Sequence, residues 1–270
     1  MTTPISYVTV LLTVSPSFMV AISAPAKILV TGANGYLATW VIKKYLEAGY
    51  SVRGTVRSLS KSAFLNDKFG YYGDRFELVV VEDITKDGAF DEAVKGIDAI
   101  AHTASPFHYK STNPDGMSDF SPNCHSIWRS SSRRADLIIP AVRGTTSILN
   151  SALRHGTTLK RVIITSSVAA VRENVSVPRV FNESNWNNAA VEAVKTKGSA
   201  AGPAMIYVAS KTLAEKAAWE FVAAFGSEIS WDLVVLNPPM VFGVSLIGPP
   251  FLTAEVITVL SAFAHPRADG

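Results

Sequence analysis

Tyr207 and Lys211 are the residues of this sequence whose types and spacing best suit proton transfer. Of the eight tyrosines, only Tyr207 has a lysine four residues later, and an i, i+4 spacing puts two side chains on one face of a helix. A neighbouring ammonium lowers the pKa of a tyrosine, so Tyr207 could give a proton to a carbonyl oxygen, or take one back, near neutral pH. The alternative is a chance pair on a solvated helix face.

Ser166 and Ser167 are a second group with chemical potential. They end the apolar run RVIITSS (161 to 167), which predicts a buried strand. Open α/β sheets bind ligands at the carboxyl ends of their strands, where a serine hydroxyl can stabilise developing negative charge. We prefer Ser167 and hold Ser166 in reserve. Either serine could instead bond to the loop backbone at the strand end.

The stretch TGANGYLA (31 to 38) has the composition of a phosphate-binding turn. Gly32, Gly35 and Ala38 follow a G-x-x-G-x-x-A spacing between an apolar strand and a helical pattern. Small residues there let the backbone approach a pyrophosphate at the N-terminus of the helix. A tight turn without a ligand is the alternative. The residues expected to contact the nucleotide are Gly32, Asn34, Gly35, Tyr36 and Leu37.

The end of the second predicted strand favours NADP(H) over NAD(H). NAD sites usually place an acidic residue about 20 positions after the glycine turn, whereas NADP sites use arginine there for the 2′-phosphate. Between Ala48 and Asn66 there is no Asp or Glu, while Arg53, Arg57 and Lys61 are present. Arg57 is the strongest candidate because it lies just past the strand, with Lys61 as a second contact. The alternative is a solvated basic turn.

These candidates must be positioned by strands and helices that alternate along the chain from Lys27 onward. Such alternation indicates βαβ units and a Rossmann-like α/β fold with a doubly wound parallel sheet. The strand candidates are residues 27 to 32, 50 to 56, 76 to 83, 98 to 104, 161 to 167 and 231 to 239. Helices are predicted between the first two strands, from about 140 to 156, and from 207 to 226.

Composition excludes several functional classes. The 270 residues are 48% hydrophobic and 17% charged, as in a globular protein with a sizeable core. A net charge of +3 without a Lys/Arg run does not indicate nucleic-acid binding. The single cysteine favours a reducing, cytoplasmic setting. No metal-ligand spacing relates Cys124 to the five histidines, His102, His108, His125, His155 and His265.

Two segments fall outside the alternating pattern. Residues 1–26 are apolar with interspersed Ser and Thr, and no Lys or Arg precedes Lys27. They meet the requirements of neither a membrane span nor a secretory signal, so we expect a disordered extension. Residues 117–134 contain the only cysteine, six serines, and three arginines against Asp119. We expect this second segment to be an inserted surface loop.

Five motifs in order, TGANGYLA, HTASP, ITSS, YVASK and NPPMVFG, resemble those of the extended short-chain dehydrogenase/reductase family. The most similar branch is that of dihydroflavonol reductases and the related fungal ketone, aldehyde and methylglyoxal reductases. The resemblance covers roughly Lys27 to Gly243, which would form the NADP-binding domain. It makes residues 244–270 a remnant of the substrate-capping region, and it leaves no counterpart for residues 117–134.

This resemblance implies a set of functional residues. Ser167, Tyr207 and Lys211 would be the catalytic residues, with NADPH as the usual hydride donor and a small-molecule carbonyl compound as the substrate. Tyr207 and Lys211 would also contact the cofactor, and Lys211 would hold its nicotinamide ribose. The further residues that the resemblance puts beside the cofactor are Asp83 and Ile84 at the adenine, Ala104 and Pro106 at its central part, and Pro238 to Val241 at the nicotinamide.

The leading hypothesis is an NADPH-dependent carbonyl reductase in secondary metabolism or detoxification, acting as a monomer or a homodimer. A non-catalytic nucleotide-binding module is the first alternative, although such a module needs neither Tyr207 nor Lys211. A sugar-nucleotide epimerase or dehydratase on the same scaffold is the second. We rank the epimerase or dehydratase hypothesis below the other two because of the basic end of the second strand and the HTASP motif.

Overall fold

The computed structural model describes residues 22–60, 62–105 and 137–246. Within them, six strands form one parallel sheet in the order β3-β2-β1-β4-β5-β6. The strands are β1 (Lys27–Thr31), β2 (Ser51–Val56), β3 (Phe76–Val80), β4 (Ala99–His102), β5 (Arg161–Thr165) and β6 (Asp232–Leu236). This order confirms the Rossmann-like, doubly wound fold that the sequence predicts.

Helices cover both faces of the sheet because alternate residues of each strand point to opposite sides. On one face, Ile28 and Val30 pack against α1 (Tyr36–Glu47) and α2 (Ala63–Phe69). On the other face, Leu29 packs in a cluster with α3 (Ile138–His155) and α5 (Pro203–Phe225). Helix α4 (Asn188–Lys197) packs through Val191 and Val194 against α3 and α5.

The strand order reverses between β1 and β4, the two central strands. Chain segments leave the carboxyl ends of these strands in opposite directions, and this divergence opens the crevice in which doubly wound sheets bind ligands. Gly32 follows β1 and Ala104 follows β4, so the predicted phosphate turn borders this crevice. Ser166 and Ser167 follow β5 at the same edge of the sheet.

The predicted strands all exist, and β2 ends at the predicted residue, but the other five end earlier than expected. Strand β3 ends at Val80 rather than at residue 83, because Val56 is the last residue of β2 and pairs with Val80. Strand β6 ends at Leu236, before two prolines that have no N–H to donate. The pattern also missed α2 and α4, which are only 7 and 10 residues long.

Two helices begin earlier than predicted. Helix α3 starts at Ile138 with Pro140 in its first turn, and α5 starts at Pro203, which is a favoured first helical residue. Tyr207 therefore lies in the second turn of α5, whereas the sequence predicts that it opens the helix. Within residues 22–60, 62–105 and 137–246, no helix has the length and apolar character needed to cross a membrane.

Candidate active site

The turn after β1 has the form needed for close approach of a phosphate. Gly32 adopts φ = +68°, and a Cβ atom there would lie 3.1 Å from the Cα atom of Ala104. Gly35 caps α1, whose first turn contains no acidic residue and whose cap makes no side-chain hydrogen bond. The first backbone N–H groups of the helix are thus suited to an anion, and these residues fit a dinucleotide pyrophosphate.

Two arginines on β2 and just beyond it have different surroundings. Arg53 donates to Glu77 over 2.6 Å and to the carbonyl oxygens of Ala93 and Lys95, so its guanidinium holds the sheet edge together. Arg57 is exposed at the carboxyl end of β2, on the edge where the crevice opens. Of these two cations, Arg57 is the one that lies at the edge where the crevice opens.

The residues predicted to border an adenine follow β3. The Oδ1 atom of Asp83 accepts hydrogen bonds from the backbone N–H and the hydroxyl of Thr85, over 2.9 and 2.7 Å. Ile84 packs toward Gly144 of α3, where an added Cβ atom would lie 2.9 Å from its Cδ1 atom. The turn after β3 is therefore fixed by its own hydrogen bonds and by contact with α3.

A buried hydroxyl locks the turn after β4 against β1. Thr31 Oγ1 accepts the backbone N–H groups of Thr103 and Ala104, over 3.1 and 3.0 Å, and lies 3.0 Å from His102 Nδ1. Since the hydroxyl already accepts two bonds, it donates its own hydrogen to Nδ1, and the ring proton is on Nε2. Burial, with the nearby charge of Lys211, lowers the pKa of His102 to about 4.

This histidine makes stability depend on pH. Between its ordinary pKa of 6.5 and about 4, the unfolded chain binds a proton at His102 that the folded protein does not bind. The stabilising contribution is complete above pH 6.5 and is lost as the pH falls. At pH 4 we expect His102 to lower the free energy of unfolding by about 3 kcal/mol relative to neutral pH.

Urea unfolding of the wild type and of His102→Asn across this pH range measures the effect. Asparagine keeps an oxygen that can accept the Thr31 hydrogen but does not titrate. We expect the wild type to lose more stability than the variant as the pH falls from 7.5 to 4. Parallel pH curves for the two proteins would show that His102 is not the titrating group.

Lys211 projects from α5 toward the end of β4. Its Nζ atom lies 3.4 Å from the hydroxyl of Ser105, the residue after Ala104. Burial lowers the pKa of Lys211 to about 8, and the charge of Glu215 acts in the opposite direction. Lys211 thereby links the helix that carries Tyr207 to the turn that contacts Gly32.

The two serines after β5 have different hydrogen bonds. Ser166 is buried and donates its hydroxyl to Glu215 Oε2 over 2.5 Å. Ser167 is partly exposed, and its Oγ atom accepts the N–H of Ala169 over 3.1 Å. The hydroxyl hydrogen of Ser167 can therefore be donated to a substrate oxygen, whereas that of Ser166 is already used.

The segment after β6 returns across the site to α1. The carbonyl of Pro238 accepts the N–H of Val168 over 3.0 Å, and the carbonyl of Val244 accepts from the Trp40 indole over 2.9 Å. A Cβ atom on Gly243 would lie 2.9 Å from the hydroxyl of Tyr36. Val241 is exposed between these contacts. This segment therefore joins the serine end of the crevice to the helix after the phosphate turn.

Several predicted positions lie outside the described residues. They are Lys61, Pro106, the segment 117–134, and the parts of the two terminal segments at 1–21 and 247–270. Across the three described ranges, no three His, Cys, Asp or Glu side chains are grouped so that they could hold a metal ion.

Sequence reasoning missed three residues of the site. Glu215, Asn237 and Thr31 contact the predicted residues Ser166, Ser167 and Ala104 through their side chains. A signal for Glu215 was present, because it follows Lys211 by four residues just as Lys211 follows Tyr207. No comparable spacing marks the other two, since Thr31 and Asn237 reach their partners across strands.

Comparison with known proteins finds a matching family model and similar reductases. A model of the NAD dependent epimerase/dehydratase family matches residues 28–126. The chain is 36% identical over 225 residues to a ketoreductase of Aspergillus niger, covering 82% of this chain and 59% of the relative. It is 35% identical over 225 residues to the NADPH-dependent methylglyoxal reductase of Saccharomyces cerevisiae, covering 80% and 58%.

A solved structure is similar as well. Yeast methylglyoxal/isovaleraldehyde reductase complexed with NADPH superimposes with a TM-score of 0.67 and 34% sequence identity, covering 82% of this chain and 60% of that one. The chain thus spans about 60% of the length of the relatives that it matches.

Proposed function

Because this chain belongs to the extended short-chain dehydrogenase/reductase family, we propose that it is an NADPH-dependent carbonyl reductase acting on a small or medium-sized ketone or aldehyde. The observation that carries the proposal is the placing of Lys211 beside Ser105, next to the close contact of Ala104 with Gly32. A helix bearing Tyr207 and Lys211 is thereby joined to a turn that fits a dinucleotide.

In the proposed reaction, bound NADPH supplies the hydride that reduces the carbonyl carbon. Tyr207 donates its hydroxyl proton to the carbonyl oxygen, and the positive charge of Lys211 favours the loss of that proton. Ser167 donates a hydrogen bond to the same oxygen and so stabilises its developing negative charge. The backbone around Gly32, Asn34, Gly35, Tyr36 and Leu37 would hold the pyrophosphate.

A turnover assay tests this function. Purified protein is mixed with NADPH and a panel that includes methylglyoxal, isovaleraldehyde and aromatic ketones, and the loss of NADPH absorbance is followed. These aldehydes are chosen because the name of the related yeast reductase contains them. Carbonyl-dependent oxidation of NADPH supports the proposal. Tight NADPH binding with no turnover on any compound would instead favour a non-catalytic nucleotide-binding module.

Cofactor selectivity gives a separate prediction. We expect Arg57→Ala to weaken NADPH binding by about 10- to 100-fold, because a charge-assisted hydrogen bond contributes about 1.5–3 kcal/mol. The affinity for NADH should change little, since NADH has no 2′-phosphate. Calorimetric titration of both nucleotides measures the two effects. Lys44→Ala removes a largely exposed cation from the far end of α1 and serves as the control.

An equal loss of affinity for NADPH and NADH would mean that Arg57 does not bind the 2′-phosphate.

Our proposal also assigns residues 27–243 to the nucleotide-binding domain and expects a monomer or a homodimer. It includes a cytoplasmic location, which the single cysteine of the sequence favours.

A further inference from the structure

Glu215 is a buried carboxylate on the same side of α5 as the two candidate catalytic residues. It follows Lys211 by four residues and Tyr207 by eight, so the three form one stripe along the helix. Only 4% of Glu215 is exposed to solvent. A buried acid needs partners to offset its loss of hydration, and its partners identify what it does.

Glu215 is hydrogen-bonded to Trp219 of the same helix, and two further hydrogen bonds lead to the ends of two neighbouring strands. Its Oε2 atom accepts from Ser166 over 2.5 Å and from Asn237 Nδ2 over 2.7 Å. The same Nδ2 group donates its second hydrogen to the carbonyl oxygen of Ser167 over 3.0 Å. The amide of Asn237 is therefore oriented by Glu215 and in turn fixes the backbone of Ser167.

Glu215 also acts on Lys211 through its charge. Both side chains line a cavity of about 20 Å³, together with Ser105 and Ser166, and this volume is enough for one water molecule. The other titratable group that lines the cavity, His102 of β4, is neutral near pH 7. The residues that α3 contributes to the lining carry no charge; they are Ala141, Gly144 and Thr145. Glu215 is accordingly the negative charge that faces Lys211 there.

We propose that Glu215 is a positioning residue that keeps Lys211 in its ammonium form across the cavity and fixes Ser167 through Asn237. This inference deepens the proposed function and rests on it for the roles of Lys211 and Ser167. Burial raises the pKa of Glu215, while its hydrogen bonds and the charge of Lys211 oppose this effect. Both groups that bond to Oε2 are donors, so the site is built for the carboxylate form.

Competitive acetylation of the nucleotide-free protein tests the effect on charge. The reactivity of Lys211 is measured from pH 6 to pH 10 by peptide mass spectrometry, since only the neutral amine reacts. The wild type should show a midpoint near pH 8. In Glu215→Gln the midpoint should move to lower pH, because the amide can still accept hydrogen bonds but carries no charge. Glu220→Gln, at an exposed position of the same helix, should leave it unchanged.

The pH profile of carbonyl reduction gives a second measurement. The rate of Glu215→Gln, divided by that of the wild type, should fall roughly tenfold between pH 6 and pH 9. A merely structural role would lower the rate equally at every pH. An unchanged acetylation midpoint in folded Glu215→Gln would overturn the inference, whatever the protein reduces. If that variant does not fold, Glu215→Asp replaces it. We expect a smaller shift of the acetylation midpoint in the same direction, and an unchanged midpoint would overturn the inference.

Discussion

Tyr207→Phe is expected to lower the rate of carbonyl reduction by about 10²- to 10⁴-fold, the range over which a positioned general acid contributes. Phenylalanine keeps the ring and its packing in the second turn of α5 and removes only the hydroxyl that would protonate the carbonyl oxygen. We therefore expect NADPH affinity and thermal stability to stay near their wild-type values. Single-turnover measurement of NADPH oxidation, at saturating nucleotide, isolates the chemical step.

Tyr71→Phe is the matched control, because Tyr71 is 74% exposed and lies far from Tyr207 in the sequence, between α2 and β3. Its rate should equal that of the wild type. Equal rates in Tyr207→Phe and Tyr71→Phe would remove Tyr207 from the mechanism.

Lys211 should set the alkaline limit of activity. Its pKa in the structure is about 8 because burial disfavours the ammonium form. Since the proposed reaction uses the charged lysine, the rate should be constant below pH 8 and fall about tenfold per pH unit above it. Lys211→Met lacks the charge at every pH, so we expect a loss of about 10²-fold or more at pH 7 and no break near pH 8.

Two further variants sharpen this prediction. Lys211→Arg keeps a positive charge throughout the range, so its lower rate should not show the fall above pH 8. Lys216→Met removes a lysine from the same helix that instead bonds to Asn188, and its profile should match that of the wild type. A wild-type profile without a break near pH 8 would contradict the role given to Lys211.

Sequence patterns were sufficient to predict the sheet and the location of Tyr207 and Lys211 on one helix, for identifiable reasons. Central strands are buried on both faces, so they appear as continuous apolar runs, as Ile28 to Val30 of β1 do. Strand ends were less predictable because they depend on partners: β3 stops at Val80 where β2 stops at Val56. Tyr207 and Lys211 lie one helical turn apart, so spacing alone relates them.

The choice between Ser166 and Ser167 shows where sequence reasoning stops. Both hydroxyls follow β5, and nothing local distinguishes them. What separates them is Glu215, 49 residues away from Ser166 in sequence, which takes the hydroxyl of Ser166 and leaves that of Ser167 for a substrate. A contact of this kind depends on how α5 lies on the sheet, and no pattern within either segment contains that information.

The alternation of β1 residues between two hydrophobic clusters has a consequence for how the chain folds as it is synthesised. The face of β1 that carries Ile28 and Val30 is covered by α1 and α2, which follow immediately. Leu29 faces the other cluster, whose helices α3 and α5 are made more than 100 residues later. Until then, a nascent chain on the ribosome has an apolar sheet surface that only the segment from Phe90 to Ile97 can partly cover. We therefore expect folding to complete only after release of α5, with chaperones shielding this surface in the meantime.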